Sequence, residues 1–124
     1  MRVLLVEDSA ALRQRLVALL TTLPEIEIIG VAEEVPQALE SIQRTGPDVV
    51  ILDIRLRCGT GIDVLRNTPK HNGAPVIIVL TSYPYPQYRR RCMSMGADFF
   101  FDKSSEFDQV LEGMKRLAQG ACIR

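Results

Sequence analysis

Net charge is missing from this sequence. Fifteen basic and fifteen acidic side chains cancel, so no global field draws the chain to nucleic acid or to an anionic membrane. The local run Arg89-Arg90-Arg91 is the exception. Long hydrophobic runs are missing as well: nothing approaches the roughly 18 apolar residues of a membrane-crossing helix. The N-terminus passes from Met1-Arg2 straight into a short apolar run, without the layout of a secretory leader. Cysteine is scarce. Cys58, Cys92 and Cys122 are odd in number, far apart and without C-x-x-C spacing, which argues against a disulfide framework or a zinc site. Free thiols in a reducing compartment are expected, with the cytoplasm as the default. Tandem repeats, low-complexity tracts and linkers are also absent, so residues 1–124 are expected to form one domain. A chain of that length buries roughly two-thirds of its unfolded surface.

What is present is ordinary in bulk and regular in order. Apolar residues make up 47% and charged residues 24%, a globular balance. Short apolar runs of β character alternate with helical patterns. The strands are expected at 2–6, 26–31, 48–53, 75–80 and 98–102. Ser9 is placed to cap a first helix with an inner stripe of Leu12, Leu16, Leu19 and Leu20. Pro36 opens a second helix that carries Ala38, Leu39 and Ile42 and ends before Gly46-Pro47. Gly61 precedes a short third helix with Ile62 and Leu65. A fourth runs from about Pro86 to Met95 and stops at Gly96; the last shows Phe107, Val110, Leu111, Met114, Leu117 and Ala118 on one face. Five such βα units with near-continuous apolar strands predict a parallel sheet covered by helices on both faces.

In an open α/β sheet, ligands bind beyond the carboxyl ends of the strands, where strand order reverses. The first strand ends on Glu7-Asp8, the third on Asp53, the fourth on Thr81-Ser82 and the fifth on Asp102-Lys103. In the order 2-1-3-4-5 the reversal lies between strands one and three. Glu7, Asp8 and Asp53 then converge, and Thr81 and Lys103 close the site from the far side. Three carboxylates in one crevice repel each other unless a cation joins them. An incomplete oxygen cage suits Mg2+, which keeps several waters and shares itself with a phosphate. A carboxylate beside such a metal can attack phosphorus and give an acyl phosphate. Lys103 supplies a compact positive charge to a phosphoryl oxygen, and Thr81 a hydroxyl.

Taken together, "VLLVEDS" (3–9), "PDVVILDIRL" (47–56), "VIIVLTS" (76–82) and "GADFFFDKS" (96–104) resemble the receiver domain of bacterial two-component response regulators. The resemblance covers essentially the whole chain and is closest in kind to stand-alone, chemotaxis-type regulators. It implies a flavodoxin-like doubly wound (βα)5 fold with a five-stranded parallel sheet in the order 2-1-3-4-5. It implies that Asp53 is the phosphoacceptor, and that Glu7, Asp8, Asp53 and the backbone carbonyl of Arg55 hold Mg2+. Thr81 and Lys103 then contact the phosphoryl group, and Phe100 falls at the aromatic switch position. Three departures stand out. Arg57 and Ser104 replace prolines that are common in the family, so an ordinary trans peptide is expected after Lys103. Phe100 lacks the hydroxyl of the usual tyrosine.

By the same resemblance a sensor histidine kinase or phosphotransfer protein supplies the phosphoryl group. Thr81 then moves toward the phosphate and Phe100 into the space it leaves, altering the face made by the fourth helix, the fifth strand and the fifth helix. A downstream protein would read that face through Arg89, Arg90, Arg91 and Phe100. The sequence leaves open whether phosphorylation also drives a homodimer there; no direct nucleic-acid or membrane contact is expected. Beyond its own phosphorylation and slow self-dephosphorylation no enzyme activity is expected. Arg55 and Tyr83, two residues beyond Asp53 and Thr81, are bulky, which by the family pattern predicts slow hydrolysis of the acyl phosphate. Phe99 and Phe101 are expected on the buried side of the last strand, and Phe100 on the outward side. His71 lies at the opposite end of the sheet and Cys58 has no histidine partner, so neither is a candidate for the chemistry. The alternatives are an excised receiver of a DNA-binding regulator, a phosphate-independent binding module and an aspartyl phosphohydrolase. The last usually carries an acid two residues after its nucleophile, where this chain has Arg55.

Overall fold

A computed structural model describes residues 1–120 of the chain. The elements run in strict alternation: β1 (Arg2–Val6), α1 (Ala10–Leu20), β2 (Glu27–Ala32), α2 (Val35–Thr45), β3 (Val49–Leu52), α3 (Gly61–Arg66), β4 (Val76–Thr81), α4 (Pro86–Ser94), β5 (Phe99–Asp102) and α5 (Phe107–Ala118). All neighbouring strands pair in parallel, in the order β2-β1-β3-β4-β5. This is the flavodoxin-like doubly wound fold. Each strand lies within a residue or so of the stretch expected for it. Among the described residues there is no cis peptide, and no helix is long and apolar enough to cross a membrane.

Because strand side chains alternate between faces, the apolar runs feed two separate cores. Leu4, Val6, Val50, Leu52, Ile77, Val79 and Phe100 pack with Ala38, Val64, Leu65 and Cys92, on the side covered by α2, α3 and α4. Val3, Leu5, Val49, Ile51, Ile78 and Leu80 pack with Leu16, Leu20, Val110 and Met114, beneath α1 and α5. Full burial of one such side chain is worth about 1.5–3 kcal/mol, so both faces of the central strands are held firmly.

Local signals set the helix ends. The Ser9 hydroxyl accepts the Leu12 N–H at 3.3 Å, and Thr60 forms a capping box with Asp63 at the start of α3. Gly46, at φ 56°, ends α2 in the left-handed conformation that glycine adopts without a side-chain clash.

The phenylalanine run departs from expectation. Phe100 is the buried member, 3% exposed, seated in the core beneath α4 near Tyr88 and Cys92. Phe99 and Phe101 are half-buried at the margin of the other core, stacked on each other with ring centroids 5.8 Å apart. Alternation did separate Phe100 from its neighbours. The depth of each face was decided by the helices above it: Gly113 of α5 presents no side chain, and a cavity lined by Phe99, Phe101, Gln109, Glu112 and Arg116 remains beside it. Cys58 and Cys92 are free thiols; burial pushes Cys92 up to about 11, which makes it unreactive. Cys122 lies outside the described residues.

Candidate functional site

The ladder hydrogen bonds run one residue past the strand ends and so fix where the polar residues stand. Glu7 N–H donates to the Ala32 carbonyl (2.9 Å), Asp53 N–H to Val6 (3.0 Å) and Lys103 N–H to Thr81 (2.9 Å). The register Val6↔Leu52 puts Glu7 beside Asp53, and Thr81↔Asp102 puts Lys103 just beyond Thr81. All five strand-end residues therefore meet at one edge of the sheet.

Their side chains converge too. Glu7, Asp8 and Asp53 each offer a carboxylate oxygen within 4.8 Å of the other two, a group able to hold a metal ion. Glu7 and Asp53 are 3% and 5% exposed, whereas Asp8 is exposed. The Lys103 ammonium bridges the two buried carboxylates, 2.8 Å from Glu7 Oε1 and 2.9 Å from Asp53 Oδ2. The remaining oxygens are held by the backbone: Ser9 N–H donates to Glu7 Oε2 (3.0 Å) and Ile54 N–H to Asp53 Oδ1 (2.7 Å). One ammonium pairs with two of the three carboxylates, leaving a net negative, oxygen-rich cradle. Such a donor set fits a hard divalent cation.

The electrostatics carry the mark of that imbalance. Burial pushes the Glu7 carboxyl above its ordinary range; the Lys103 hydrogen bond pulls it back only in part, and the Asp53 charge adds to the rise. Burial works against the charged form of Lys103, but its bonds to Glu7 and Asp53 outweigh this and hold it above the usual lysine value. It remains charged.

Thr81 is fully buried, and its hydroxyl oxygen accepts the Tyr83 N–H at 3.1 Å, so its own proton is left to donate elsewhere. The turn that presents Lys103 uses no proline. The Asp102 carboxylate instead accepts the Ser104 N–H and hydroxyl (3.0 and 2.8 Å) and the Ser105 hydroxyl (3.1 Å). The Ser104 N–H, a donor that proline lacks, is the main cause that lowers the Asp102 carboxyl. The Arg55 guanidinium lies 4.3 Å from the centre of the Tyr83 ring, joining the loops after β3 and β4.

Arg89, Arg90 and Arg91 are exposed along α4, but Arg89 turns back onto β5. It donates to the Phe100 carbonyl at 3.3 Å and lies 5.6 Å from the ring centre. His71 is in the exposed loop before β4, away from the cluster.

Two residues at the site escaped the sequence reasoning. Gly61 reads in sequence only as the residue before a short helix, yet a Cβ there would stand 2.2 Å from the Asp53 carbonyl oxygen, and its N–H donates to the Ile54 carbonyl at 2.6 Å. Arg13, on α1, donates to the Glu7 carbonyl at 2.9 Å. A glycine directly after a capping threonine hints at the first; nothing local signals the second.

Residues 3–115 match the family described as response regulator receiver domain. The chain is 31% identical over 116 residues to sensory transduction protein LytT of Bacillus cereus, covering 94% of this chain and 46% of that protein. It is 29% identical over 122 residues to the DNA-binding transcriptional activator DevR/DosR of Mycobacterium tuberculosis, covering 98% and 56%. The chain therefore spans about half the length of these relatives. Among solved structures, the response regulator domain of Thermotoga maritima CheB is similar with a TM-score of 0.82 and 26% identity, covering 98% of this chain and 95% of that one.

Proposed function

The chain belongs to the response regulator receiver family, and on that premise we propose that it takes a phosphoryl group onto Asp53 from a phosphohistidine. The donor is a sensor histidine kinase or a phosphotransfer protein. The observation that carries the proposal is the Lys103 ammonium shared between Asp53 and Glu7 inside a three-carboxylate cradle.

In the transfer, an Asp53 carboxylate oxygen forms a bond to phosphorus while the bond from phosphorus to the donor imidazole breaks, and the imidazole leaves with the electron pair. Lys103, in contact with the carboxylate that attacks, is in reach of an oxygen on the arriving group. Thr81 offers its hydroxyl proton to another. Mg2+, held by Glu7, Asp8, Asp53 and the Arg55 carbonyl, would offset the carboxylate repulsion and polarise the phosphoryl group. Incubation with acetyl phosphate and Mg2+ should add the mass of one phosphoryl group, and Asp53→Asn should add none. Equal labelling of the Asn variant would refute the assignment.

The output proposed is a protein contact through α4, β5 and α5, in a cytoplasmic setting, with Arg90 and Arg91 exposed on that face. Phe100 already fills its pocket, so phosphorylation would secure this arrangement rather than create it, a shift between existing populations. With beryllofluoride and Mg2+, NMR shifts should spread from Asp53 through Thr81 to Arg89 and Phe100. A response confined to the acidic cluster would sink the coupling.

A further inference from the structure

The loop from Ile54 to Thr60 carries the Arg55 carbonyl, and the turn after β1 carries Glu7 and Asp8. These two segments of the proposed metal site do not simply share a sheet edge. They are joined through a third, the turn between β2 and α2. Glu33 in that turn places one carboxylate oxygen 2.8 Å from Arg13 and the other 2.5 Å from Arg57. Arg13 uses its second terminal nitrogen on the Glu7 carbonyl, at 2.9 Å. Arg57 uses its Nε on Glu34, at 3.2 Å. The backbone repeats the join: Arg57 N–H donates to the Glu33 carbonyl (3.3 Å) and Val35 N–H to the Cys58 carbonyl (3.1 Å). A Cβ on Gly59 would stand 2.5 Å from Val35, so the loop lies directly on the start of α2.

We propose that Glu33 is a positioning residue for the cation site: through Arg13 and Arg57 it sets the spacing between the two segments that bear the ligands. The inference rests on the metal reading given above. It also gives Arg57 a purpose: a side chain with two separated donor edges spans Glu33 and Glu34, which a point-charged lysine cannot do in the same way.

Charge and geometry make opposite predictions here, which renders the idea testable. If Arg13 and Arg57 acted only through their field, removing either positive charge would tighten Mg2+ binding. If they hold the ligand loops in place, removing either weakens it. Calorimetric titration of the full chain with Mg2+ should show Arg13→Gln and Arg57→Gln each binding about tenfold more weakly, the lower end of the range for residues that orient metal ligands. Glu33→Asp, which keeps the charge but shortens the reach, should weaken binding as well. In a Glu33→Gln background the Arg57 substitution should have little further effect, because Arg57 acts through that carboxylate, whereas Arg13→Gln keeps a smaller one through its own bond to the Glu7 carbonyl. Arg57 is 62% exposed in its side chain, so its replacement should leave the fold intact, as a melting curve would verify. Unchanged or tighter Mg2+ binding in Arg13→Gln or Arg57→Gln overturns the inference while the metal reading stands. Failure of the unaltered chain to bind Mg2+ overturns both.

Discussion

Asp8 provides the sharpest handle on the acidic cluster. Its carboxylate lies within 4.8 Å of those of Glu7 and Asp53, and among the described residues it has no hydrogen bond or ion pair to lose. Lys103 compensates its two neighbours at 2.8 and 2.9 Å but does not contact Asp8. Two unit charges at that separation repel by about 3.5 kcal/mol at an effective dielectric of about 20. Asp8 is exposed, so solvent and salt reduce its total to about 1 kcal/mol. Asp8→Asn should therefore stabilise the metal-free chain, raising the melting temperature by about 4 °C for a domain of this size.

Mg2+ should reverse the ranking. At a hundred times its dissociation constant a ligand adds about 2.7 kcal/mol, or about 10 °C by the same conversion, and the Asn variant should gain little of this. Thermal melts in EDTA and in excess Mg2+, for both proteins, give four numbers whose order is specified in advance. In EDTA the variant is the more stable; in Mg2+ the unaltered protein is. If the variant melts lower in EDTA, or gains the full Mg2+ shift, Asp8 is not part of a repulsive cation cradle.

Glu7 predicts a pH dependence. Its carboxyl is raised in the fold above 4.5, mainly by burial, so its contribution to stability is complete below pH 4.5 and is lost as pH rises through the higher folded value. Denaturant melts without metal should show stability declining over that window, and Glu7→Gln should flatten the decline; an unchanged slope would count against the assignment. Gly61→Ala must displace the Asp53 backbone to seat its methyl group, so phosphorylation by acetyl phosphate should fall at least tenfold, with a stability loss of about 1–3 kcal/mol. A variant that phosphorylates normally would show that the loop has room to yield. Arg55 and Tyr83 stand two residues beyond Asp53 and Thr81 and touch each other, so Arg55→Ala and Tyr83→Ala should each speed decay of the acyl phosphate several-fold, followed as loss of the phosphoryl mass. Equal decay rates would mean that the pair shields nothing.

The strands and their order were legible because parallel strands buried on both faces are written as short continuous apolar runs, such as VVIL and VIIVLT. The convergence of Glu7, Asp8, Asp53, Thr81 and Lys103 followed from the same fact: once strand ends and strand order are known, the residues just beyond them must meet. What was not legible depends on partners distant in sequence. Arg13, Glu33 and Arg57 are scattered over three connecting segments, and nothing in their local surroundings announces that one carboxylate serves two arginines. Ser104 looked like the simple loss of a proline. Its gain, an N–H that Asp102 accepts, is visible only once the turn is formed.

The phenylalanine run shows how such a non-local decision bears on function. Val79 pairs with Phe100, and Thr81 lies two residues further along β4, so Thr81 and Phe100 share one face of the sheet. A movement of the Thr81 hydroxyl toward a phosphoryl group, as proposed, would therefore be felt first on the face where Phe100 is buried, not on the α5 side where Phe99 and Phe101 stack. Expelling Phe100 to solvent would cost about 1.5–3 kcal/mol, more once the Arg89 contact on its ring is counted. That places an outward state at the few-per-cent level or below before phosphorylation. A switch that had to drive the ring out would work against this gap, whereas one that holds it in works with it. On the proposed switching, the gap would favour a seated Phe100, with Arg89 over its ring, as the signalling form.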